Sequence, residues 1–342
     1  MGVIDSTRST VRADLVLVSA SILTWVQSGK ITTLIAKEFL AQCATSITAC
    51  SHLLKGDGFL PVEYALSQYL PHLIALAKSP SPVQKEAAYL AAQGCCLASL
   101  VKLHQLRFHE RVACCQQGVE FARVTGDSLL LATTLAELGI AWFESGESEN
   151  MLKEYQEAES LLPKEPPLFP LRLQSRIYTG LSGAYARTGH LQEAKNYLDL
   201  ANAISLSSDD DLFIPCLDYD LSFKILWESF IHIDLEHLLK DQNKVPNKEA
   251  RFHLGKANTA LEQELPASTP ERVLTEIILQ RALVAVKLGD LDTLEKYLKE
   301  GAQRAKALES KKRQEEAKAV WREAMLRWSH EDRVIELWEW VF

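Results

Sequence analysis

Two helical patterns lie back to back in Ala132–Lys164, and this stretch restricts the fold of the chain more than any other. The first pattern repeats at i, i+3, i+4 and i+7, which is the spacing of one helix face. Its residues are Leu135, Leu138, Gly139 and Trp142. The second pattern also occupies one face, with Met151, Tyr155, Ala158 and Leu162. Gly146 lies in the short break between the patterns, Pro163 ends the second one, and the segment therefore predicts a helical hairpin.

The hairpin follows a known repeat pattern. The 34-residue tetratricopeptide (TPR) motif prefers W, L, G, Y, G, A, F, A and P at fixed places. Those places hold Leu135, Leu138, Gly139, Trp142, Gly146, Met151, Tyr155, Ala158 and Pro163. The segment resembles a TPR repeat on these residues. Gly139 has no Cβ, so we expect the backbone of a second helix to approach it closely.

Two further copies of the pattern follow along the chain. The second copy starts at Ser175 and carries Tyr178, Leu181, Ser182, Tyr185, Gly189, Ala194, Leu198 and Ala201. A weaker third copy starts near Thr275 and carries Ala282, Gly289, Leu294, Leu298 and Gly301. Repeats of this kind stack on their neighbours, so one domain can run through most of the chain. They favour binding over catalysis.

The rest of the chain also has helical patterns. Glycine and proline are scarce, at 15 and 12 of 342 residues, and they cluster between apolar helical stretches. We therefore predict an all-α fold, an α-solenoid of TPR-like hairpins with a Trp-rich C-terminal capping helix. Helices are predicted at 33–54, 61–78, 83–103, 107–124, 129–145, 148–162, 171–188, 191–206, 217–238, 247–264, 270–288 and 291–308. The predicted organisation is an N-terminal segment at 1–32, the repeat domain at 33–310 and capping helices at 311–342.

The charge balance is acidic. A formal net charge of −8 argues against direct nucleic-acid binding, because neutralising phosphates requires a surplus of Lys and Arg on one face. One basic cluster comprises Arg304, Lys306, Lys311, Lys312 and Arg313. Glu315 and Glu316 follow at once, so we interpret the cluster as a solvated helix face, with a phosphate-binding patch as the alternative.

The seven cysteines predict reduced thiols. They are Cys43, Cys50, Cys95, Cys96, Cys114, Cys115 and Cys216. The number is odd and all lie in apolar patterns, as in a cytoplasmic protein that uses thiols as small apolar side chains. Because no C-x-x-C is present, packing is favoured over the alternative, a redox or metal role for the two Cys pairs.

The N-terminal stretch Leu15–Val26 is apolar, and two interpretations stay open for it. It is too short to span a bilayer and lacks a clear cleavage site, which favours a buried first helix and no membrane contact. A targeting segment is the alternative. No motif for nucleophilic, metal-dependent or phosphate-binding chemistry occurs in the chain, so we expect a non-enzymatic protein without a cofactor or metal site.

The run from Phe39 to Trp328 resembles the TPR sensor region of bacterial helix-turn-helix transcriptional regulators. Residues 1–32 do not have the pattern of the DNA-binding domain of those regulators. In TPR proteins, the ligand groove is lined by five positions of the first helix in each hairpin. The equivalent residues here are Thr133, Ala136, Ile140, Phe143, Glu144, Arg176, Thr179, Gly183, Ala186, Arg187, Glu276, Leu279, Leu283, Val286 and Lys287.

The resemblance implies a peptide-binding groove on the concave side. Its predicted contacts are Phe143, Glu144, Arg176, Thr179, Arg187, Leu283 and Lys287. The three cations among them would form an inner face able to hold a carboxylate, and ordinary surface charges are the alternative. A second candidate surface is the aromatic C-terminus, with Trp338, Trp340 and Phe342. These residues either cap the last repeat or bind a partner.

The predicted function is that of a regulatory TPR adaptor or sensor that binds a peptide or protein segment in its concave groove. One alternative is a small-molecule-binding or catalytic helical protein with a pocket near Trp142, Tyr178 and Tyr219. Another is a structural subunit that forms homo-oligomers through the Trp-rich terminus.

Overall fold

Helices account for the regular structure in the computed structural model, which describes residues 33–56, 58–163, 170–206, 219–243 and 248–342. Leu15–Val26 and Cys216 lie outside these ranges. The helices are α1 Thr33–Lys55, α2 Phe59–Lys78, α3 Gln84–His104, α4 Phe108–Thr125, α5 Ser128–Glu144, α6 Ser148–Ser160, α7 Leu171–Arg187, α8 Leu191–Ala203, α9 Leu221–Asn243, α10 Lys248–Leu261, α11 Glu271–Leu288, α12 Leu291–Ala307, α13 Lys311–Arg327, α14 Asp332–Glu336 and α15 Trp338–Val341. The described ranges contain no strand. The all-α prediction is confirmed, and the predicted helix ends differ from the observed ones by a few residues.

The helices pair along the chain and the pairs stack side by side. Within each pair, the second helix packs on the first, as in α3 with α4 and α5 with α6. The odd-numbered helices from α1 to α13 also contact one another in sequence, so they form a continuous inner layer. The fold is therefore an α-solenoid, because each pair buries its apolar face against its neighbours.

The same turn joins the two helices of the three repeat copies. Gly146, Gly189 and Gly289 have φ of 78°, 87° and 87°, a left-handed conformation that favours glycine. In each copy, the residue after the glycine donates its backbone N–H to a carbonyl five positions earlier, at 2.9–3.0 Å. This Schellman turn satisfies the last carbonyls of the first helix and reverses the chain. The shared turn explains why the three segments align in sequence.

Tyr155 on α6 holds α5 and α7 together. Its ring is fully buried and lies against two helical glycines, Gly139 on α5 and Gly180 on α7. A Cβ at Gly139 would lie 2.5 Å from the ring, and a Cβ at Gly180 would lie 2.1 Å from it. The predicted reason for Gly139 needs correction, because it is an aromatic ring and not a helix backbone that occupies the space left by the missing Cβ.

Side-chain caps mark the starts of four described helices, one of them α9, where Asp220 accepts the backbone N–H of Phe223 at 3.1 Å. Asp127, Asp290 and Ser310 each accept a hydrogen bond from the backbone N–H three residues later, at the starts of α5, α12 and α13. Gly126, just before Asp127, has φ of 75° and ends α4. A left-handed glycine stop followed by an aspartate cap thus separates α4 from α5.

The inner layer closes on itself. Helix α13 contacts α3, so the C-terminal part of the solenoid meets its N-terminal part. His104 at the end of α3 lies 2.8 Å from the hydroxyl of Ser310, and Arg272 on α11 donates to the carbonyl of Leu54 at 3.2 Å. These partners are more than 200 residues apart in sequence. The inner helices that form the concave wall thus make a closed ring.

The C-terminal cap comprises one long helix and two short ones. Ala317, Val320 and Ala324 on α13 are buried together with residues of α11 and α12. The chain then turns at Trp328, and α14 and α15 bury Val334, Leu337 and Val341 against the same cluster. No helix in the described part of the chain is long and apolar enough to cross a membrane.

Candidate functional site

The inner helices enclose a cavity of about 410 Å³ at the centre of the ring. Every odd-numbered helix from α1 to α13 contributes to its lining, and α4 adds Arg111. The apolar part of the lining comprises Leu54, Cys96, Leu97, Leu100, Leu103, Ile140, Phe143, Phe223, Leu226, Trp227 and Phe230. The polar part comprises Ser51, Lys55, His104, Arg111, Glu137, Glu144, Arg172, Arg176, Arg272, Glu276, Lys312 and Arg313. Ligand sites combine apolar walls with converging polar groups, and this lining has both, with charged side chains unusually numerous.

Lys312 and Arg313 reach the cavity from the first turn of α13. Both are buried, with 4% and 3% of their surface exposed. Lys312 Nζ lies 3.2 Å from a carboxylate oxygen of Glu144 on α5 and 3.4 Å from one of Glu276 on α11. Arg313 pairs with Glu276 and, at 2.6 Å, with Glu316. This ion-pair network joins three of the helices that line the cavity.

The network fixes the charge state of Glu276. Burial alone would raise the pKa of this carboxyl group, because the charged form loses its hydration. The charges of Arg313 and Lys312 and their hydrogen bonds outweigh that effect and hold the pKa of Glu276 below its usual range. The carboxylate is therefore ionised at neutral pH.

His104 lies next to this ion-pair network, and its imidazole is neutral. Burial lowers the pKa of His104 well below its usual range, and the charges of Arg313 and Arg272 lower it further. The Ser310 hydroxyl oxygen accepts the N–H of Arg313 at 3.3 Å. The same hydroxyl lies 2.8 Å from Nδ1 of His104, within hydrogen-bonding distance, which links α13 to α3 without adding a charge.

Arg176 on α7 is held by α5 and an aromatic pair. Its Nη2 donates to Glu137 at 3.0 Å, and its guanidinium carbon lies 5.4 Å from the Tyr219 ring centre and 6.0 Å from that of Trp227. The Tyr219 hydroxyl is within hydrogen-bonding distance of Ser175 and Thr179. These contacts give the buried guanidinium a fixed direction.

The structure brings three of the seven predicted groove residues to the cavity. Phe143, Glu144 and Arg176 line it, together with two further positions from the repeat alignment, Ile140 and Glu276. The predicted site was a concave groove, and these residues line a partly open cavity at the centre of the ring.

The other four predicted groove residues lie outside the lining. Thr179 is buried beneath it against Tyr219. Leu283 packs between two core clusters. Lys287 Nζ lies 2.6 Å from His237 and 3.8 Å from Glu236 on α9. Arg187, the fourth of these residues, also does not line the cavity.

Arg187 supports the cavity wall from behind. Its guanidinium carbon lies 3.7 Å from the ring centre of Phe143, a lining residue. Its Nε donates to Asp234 on α9 at 2.8 Å. Burial raises the pKa of Asp234, although the Arg187 charge opposes this rise. Arg187 thus positions Phe143 and is paired within the protein.

The predicted solvated face at 304–313 is wrong for two of its five cations. Arg304 pairs near the surface with Glu271 and Glu300, as expected of a solvated charge. Lys312 and Arg313 are instead buried in the ion-pair network. The physical reason is that α13 folds back onto α11 and α3, and carboxylates from other helices meet these two side chains.

Sequence reasoning missed Arg111, Arg172, Arg272 and Trp227. One signal was available for the arginines on the inner helices. Arg172, Arg272 and Lys312 each occupy the second position of an odd-numbered helix, and a charged residue follows four positions later. Charges repeated at one place in successive first helices indicate a common inner surface. Arg111 and Trp227 have no comparable signal.

The six described cysteines are free thiols in apolar packing. Cys96 reaches the cavity, while Cys95 and Cys115 are buried between helices. Burial raises the pKa of the Cys43 thiol to about 12, so the neutral form persists at physiological pH. Within the described ranges, no group of three or more metal-ligating side chains comes together.

The aromatic C-terminus is partly exposed. Trp338 and Phe342 stack with ring centres 3.8 Å apart, and both meet Trp321 edge-on. About half of each side chain remains exposed, at 49% and 47%. Trp340 is partly buried against the α11–α13 cluster. The pocket proposed near Trp142, Tyr178 and Tyr219 is not the cavity, since none of these residues lines it.

Comparisons with known proteins complete the description. No family model matches the chain, and no curated protein matches its sequence. Among solved structures, NprR in complex with its cognate peptide NprX is similar, with 14% identity, a TM-score of 0.48, and coverage of 96% of this chain and 84% of that one. The apo form of the quorum sensor NprR from B. thuringiensis has 15% identity, a TM-score of 0.38 and coverage of 92% and 99%. A Rap protein complexed with competence and sporulation factor has 11% identity, a TM-score of 0.41 and coverage of 88% and 97%.

Proposed function

We propose that this chain is a non-enzymatic regulatory receptor that binds a short peptide, or a segment of a partner protein, in the central cavity. The observation that carries the proposal is the composition of the cavity wall, to which every inner helix from α1 to α13 contributes. A bound segment would contact all of these helices at once. Its binding would therefore fix the curvature of the solenoid and pass a signal to the outer surface.

The size and chemistry of the cavity support this function. Ligand pockets in proteins span about 300–1,000 Å³ and are mostly apolar with a few polar groups that set orientation. The cavity lies in this range and combines aromatic residues such as Phe143 and Trp227 with charged groups. Such a surface suits a segment with both apolar and charged side chains. Free thiols favour a reducing compartment, so we place this activity in the cytoplasm.

Filling the cavity tests the proposal. We expect a Leu100→Trp variant to lose peptides that the unmodified protein selects from a random heptapeptide display library, because the indole would occupy the ligand space. Leu100 is half-buried and lines the cavity, so the change adds volume without emptying the core. The measurement is the dissociation constant of each enriched peptide, and we expect it to rise at least about tenfold.

The matched control is Leu326→Trp, the same substitution at a leucine that is 83% exposed on α13. This variant should bind the peptides as the unmodified protein does, and circular dichroism should give the same helix content for both variants. A library without enriched peptides, or peptides that bind Leu100→Trp unchanged, would contradict the receptor function.

A further inference from the structure

The cavity carries a surplus of positive charge in an acidic protein. Seven cationic side chains line it, against the three carboxylates of Glu137, Glu144 and Glu276. The cations are Lys55, Arg111, Arg172, Arg176, Arg272, Lys312 and Arg313. The whole chain has a formal net charge of −8. The field inside the ring is therefore opposite in sign to the net charge of the molecule, which favours an anionic ligand.

The three carboxylates are already engaged by cations of the wall. Glu276 is paired with Lys312 and Arg313. Glu144 is closest to Lys312, and Glu137 accepts from Arg176. Internal pairing therefore occupies all three carboxylates of the lining.

Arg111 and Arg176 carry donors that the described protein atoms do not satisfy. The two residues are 2% and 3% exposed. The Nε and Nη1 atoms of both guanidinium groups are buried without a hydrogen-bond partner. The carboxylate nearest to Arg111 is Glu144, 4.0 Å away and shared with Lys312. Buried charged donors without acceptors cost free energy, and an anion that accepts from them recovers it.

We propose that the cavity binds an acidic peptide and that Arg111 and Arg176 hold one of its carboxylates, an inference that rests on the proposed receptor function. Guanidinium groups match planar carboxylates with two parallel hydrogen bonds. The neighbouring apolar side chains, among them Ile140 and Trp227, take the apolar residues beside the acid. The preferred ligand thus has Asp or Glu flanked by apolar residues.

Three defined peptide pools test the charge preference. The probes are N-acetylated, C-amidated pentapeptides with randomised apolar residues around a central Asp, Asn or Lys. Blocked termini leave the central residue as the single variable charge. We expect the Asp pool to bind at least about tenfold more tightly than the Asn pool, as for a charge-assisted hydrogen bond, and the Lys pool to bind least. The measurement is fluorescence anisotropy with a labelled Asp pool as the competed probe.

Substitution of each arginine assigns the preference to the site. In Arg111→Gln and Arg176→Gln, the Asp pool should lose its advantage over the Asn pool while the Asn pool keeps its affinity. Arg111→Gln should also leave the Tm of the ligand-free protein equal or higher, because it removes a poorly paired buried charge. A purely structural arginine would lower the Tm. Arg304→Gln removes a charge outside the cavity lining and should leave binding unchanged.

The outcomes separate the two proposals. If the Asp and Asn pools bind equally and Leu100→Trp weakens both, the carboxylate site is overturned while the receptor function stands. If succinate competes as strongly as the Asp pool, the anion preference stands and the peptide ligand does not. If none of the three pools binds while the heptapeptide library yields ligands, the carboxylate site is overturned and the receptor function stands; if the library also yields none, both proposals fail.

Discussion

At the scale of single residues, the most restrictive contact is that of Tyr155 with two glycines. The ring fills the space that a side chain would otherwise occupy on both α5 and α7. The packing of α5, α6 and α7 therefore requires that Gly139 and Gly180 carry no side chain. A core packed this closely does not absorb an extra carbon without moving the ring or the helices.

We expect Gly180→Ala to lower the free energy of unfolding by about 1–3 kcal/mol, the usual cost of overpacking a core. The added Cβ would lie 2.1 Å from the Tyr155 ring, which has no exposed side toward which it can move. Urea denaturation followed by circular dichroism measures the change. The control is Gly255→Ala on α10, where a Cβ meets no atom within 4 Å.

Gly255→Ala should raise the free energy of unfolding by up to about 1 kcal/mol, because alanine has a higher helix propensity than glycine. Equal stability of the two variants would contradict the role given to Tyr155.

At the scale of secondary-structure elements, α13 depends on ion pairs that its own sequence does not supply. Lys312 and Arg313 are neutralised by Glu276 of α11 and Glu144 of α5 as well as by Glu316 of α13. Arg327 at the other end of α13 donates to the carbonyl of Val286, near the C-terminus of α11, at 2.9 Å. The helix is therefore attached to α11 at both ends.

The Glu276 contacts predict how stability depends on pH. Its pKa is lower in the folded protein than in an unfolded chain, so the ion pair stabilises the fold fully above the unfolded value of about 4.3. That contribution is lost as the pH falls below this value and through the folded pKa. We expect Glu276→Gln to destabilise the protein by about 3 kcal/mol at pH 7, the cost of leaving buried cations unpaired, and by less at pH 3.5.

Urea denaturation of both proteins at the two pH values measures this difference. The control is Glu249→Gln, which removes a surface carboxylate paired with Lys195. A surface pair contributes about 0–1 kcal/mol, so this variant should change little at either pH. A Glu276→Gln penalty that stays constant with pH would contradict the electrostatic role.

The elements themselves were largely predictable from the sequence. Apolar spacing and the turn glycines act locally, so they predicted the helices and the repeated turns at Gly146, Gly189 and Gly289. In the capping region predicted at 311–342, the chain forms one long helix, breaks near Trp328 and ends in two short helices. The sequence of α13 by itself did not indicate that its first turn would be buried, because its partners come from other helices. The one signal was the charge repeated at the second position of α7, α11 and α13.

At the scale of the whole molecule, the inner helices form a closed ring around the cavity, which the repeats alone did not predict. The inner position of Phe143, Glu144 and Arg176 followed from the repeat register. Closure depends on contacts between residues about 200 positions apart, such as His104 with Ser310, and a nearest-neighbour repeat pattern carries no information about these. Arg111 belongs to an outer helix, so the same pattern assigned it no role.

Because the inner helices form a closed ring, we expect local unfolding of α13 to extend to α1 and α3. Ser310 both caps α13 and lies within hydrogen-bonding distance of His104 on α3, whereas Asp290 caps α12 and has no such link across the ring. We therefore expect Ser310→Ala to speed amide hydrogen exchange at the C-terminal ends of α1 and α3 as well as in α13. Asp290→Ala, a matched loss of a helix cap, should speed exchange in α12 without reaching α1 or α3.

Each substitution should cost about 0.5–2 kcal/mol as a lost cap, so the distinguishing result is where exchange rises and not how much stability falls. Hydrogen-exchange mass spectrometry on peptides from α1, α3, α12 and α13 gives this distribution. If Ser310→Ala raised exchange in α13 alone, the contact between the two ends of the solenoid would not couple them. Ligand binding in the cavity would then act on neighbouring helices one by one.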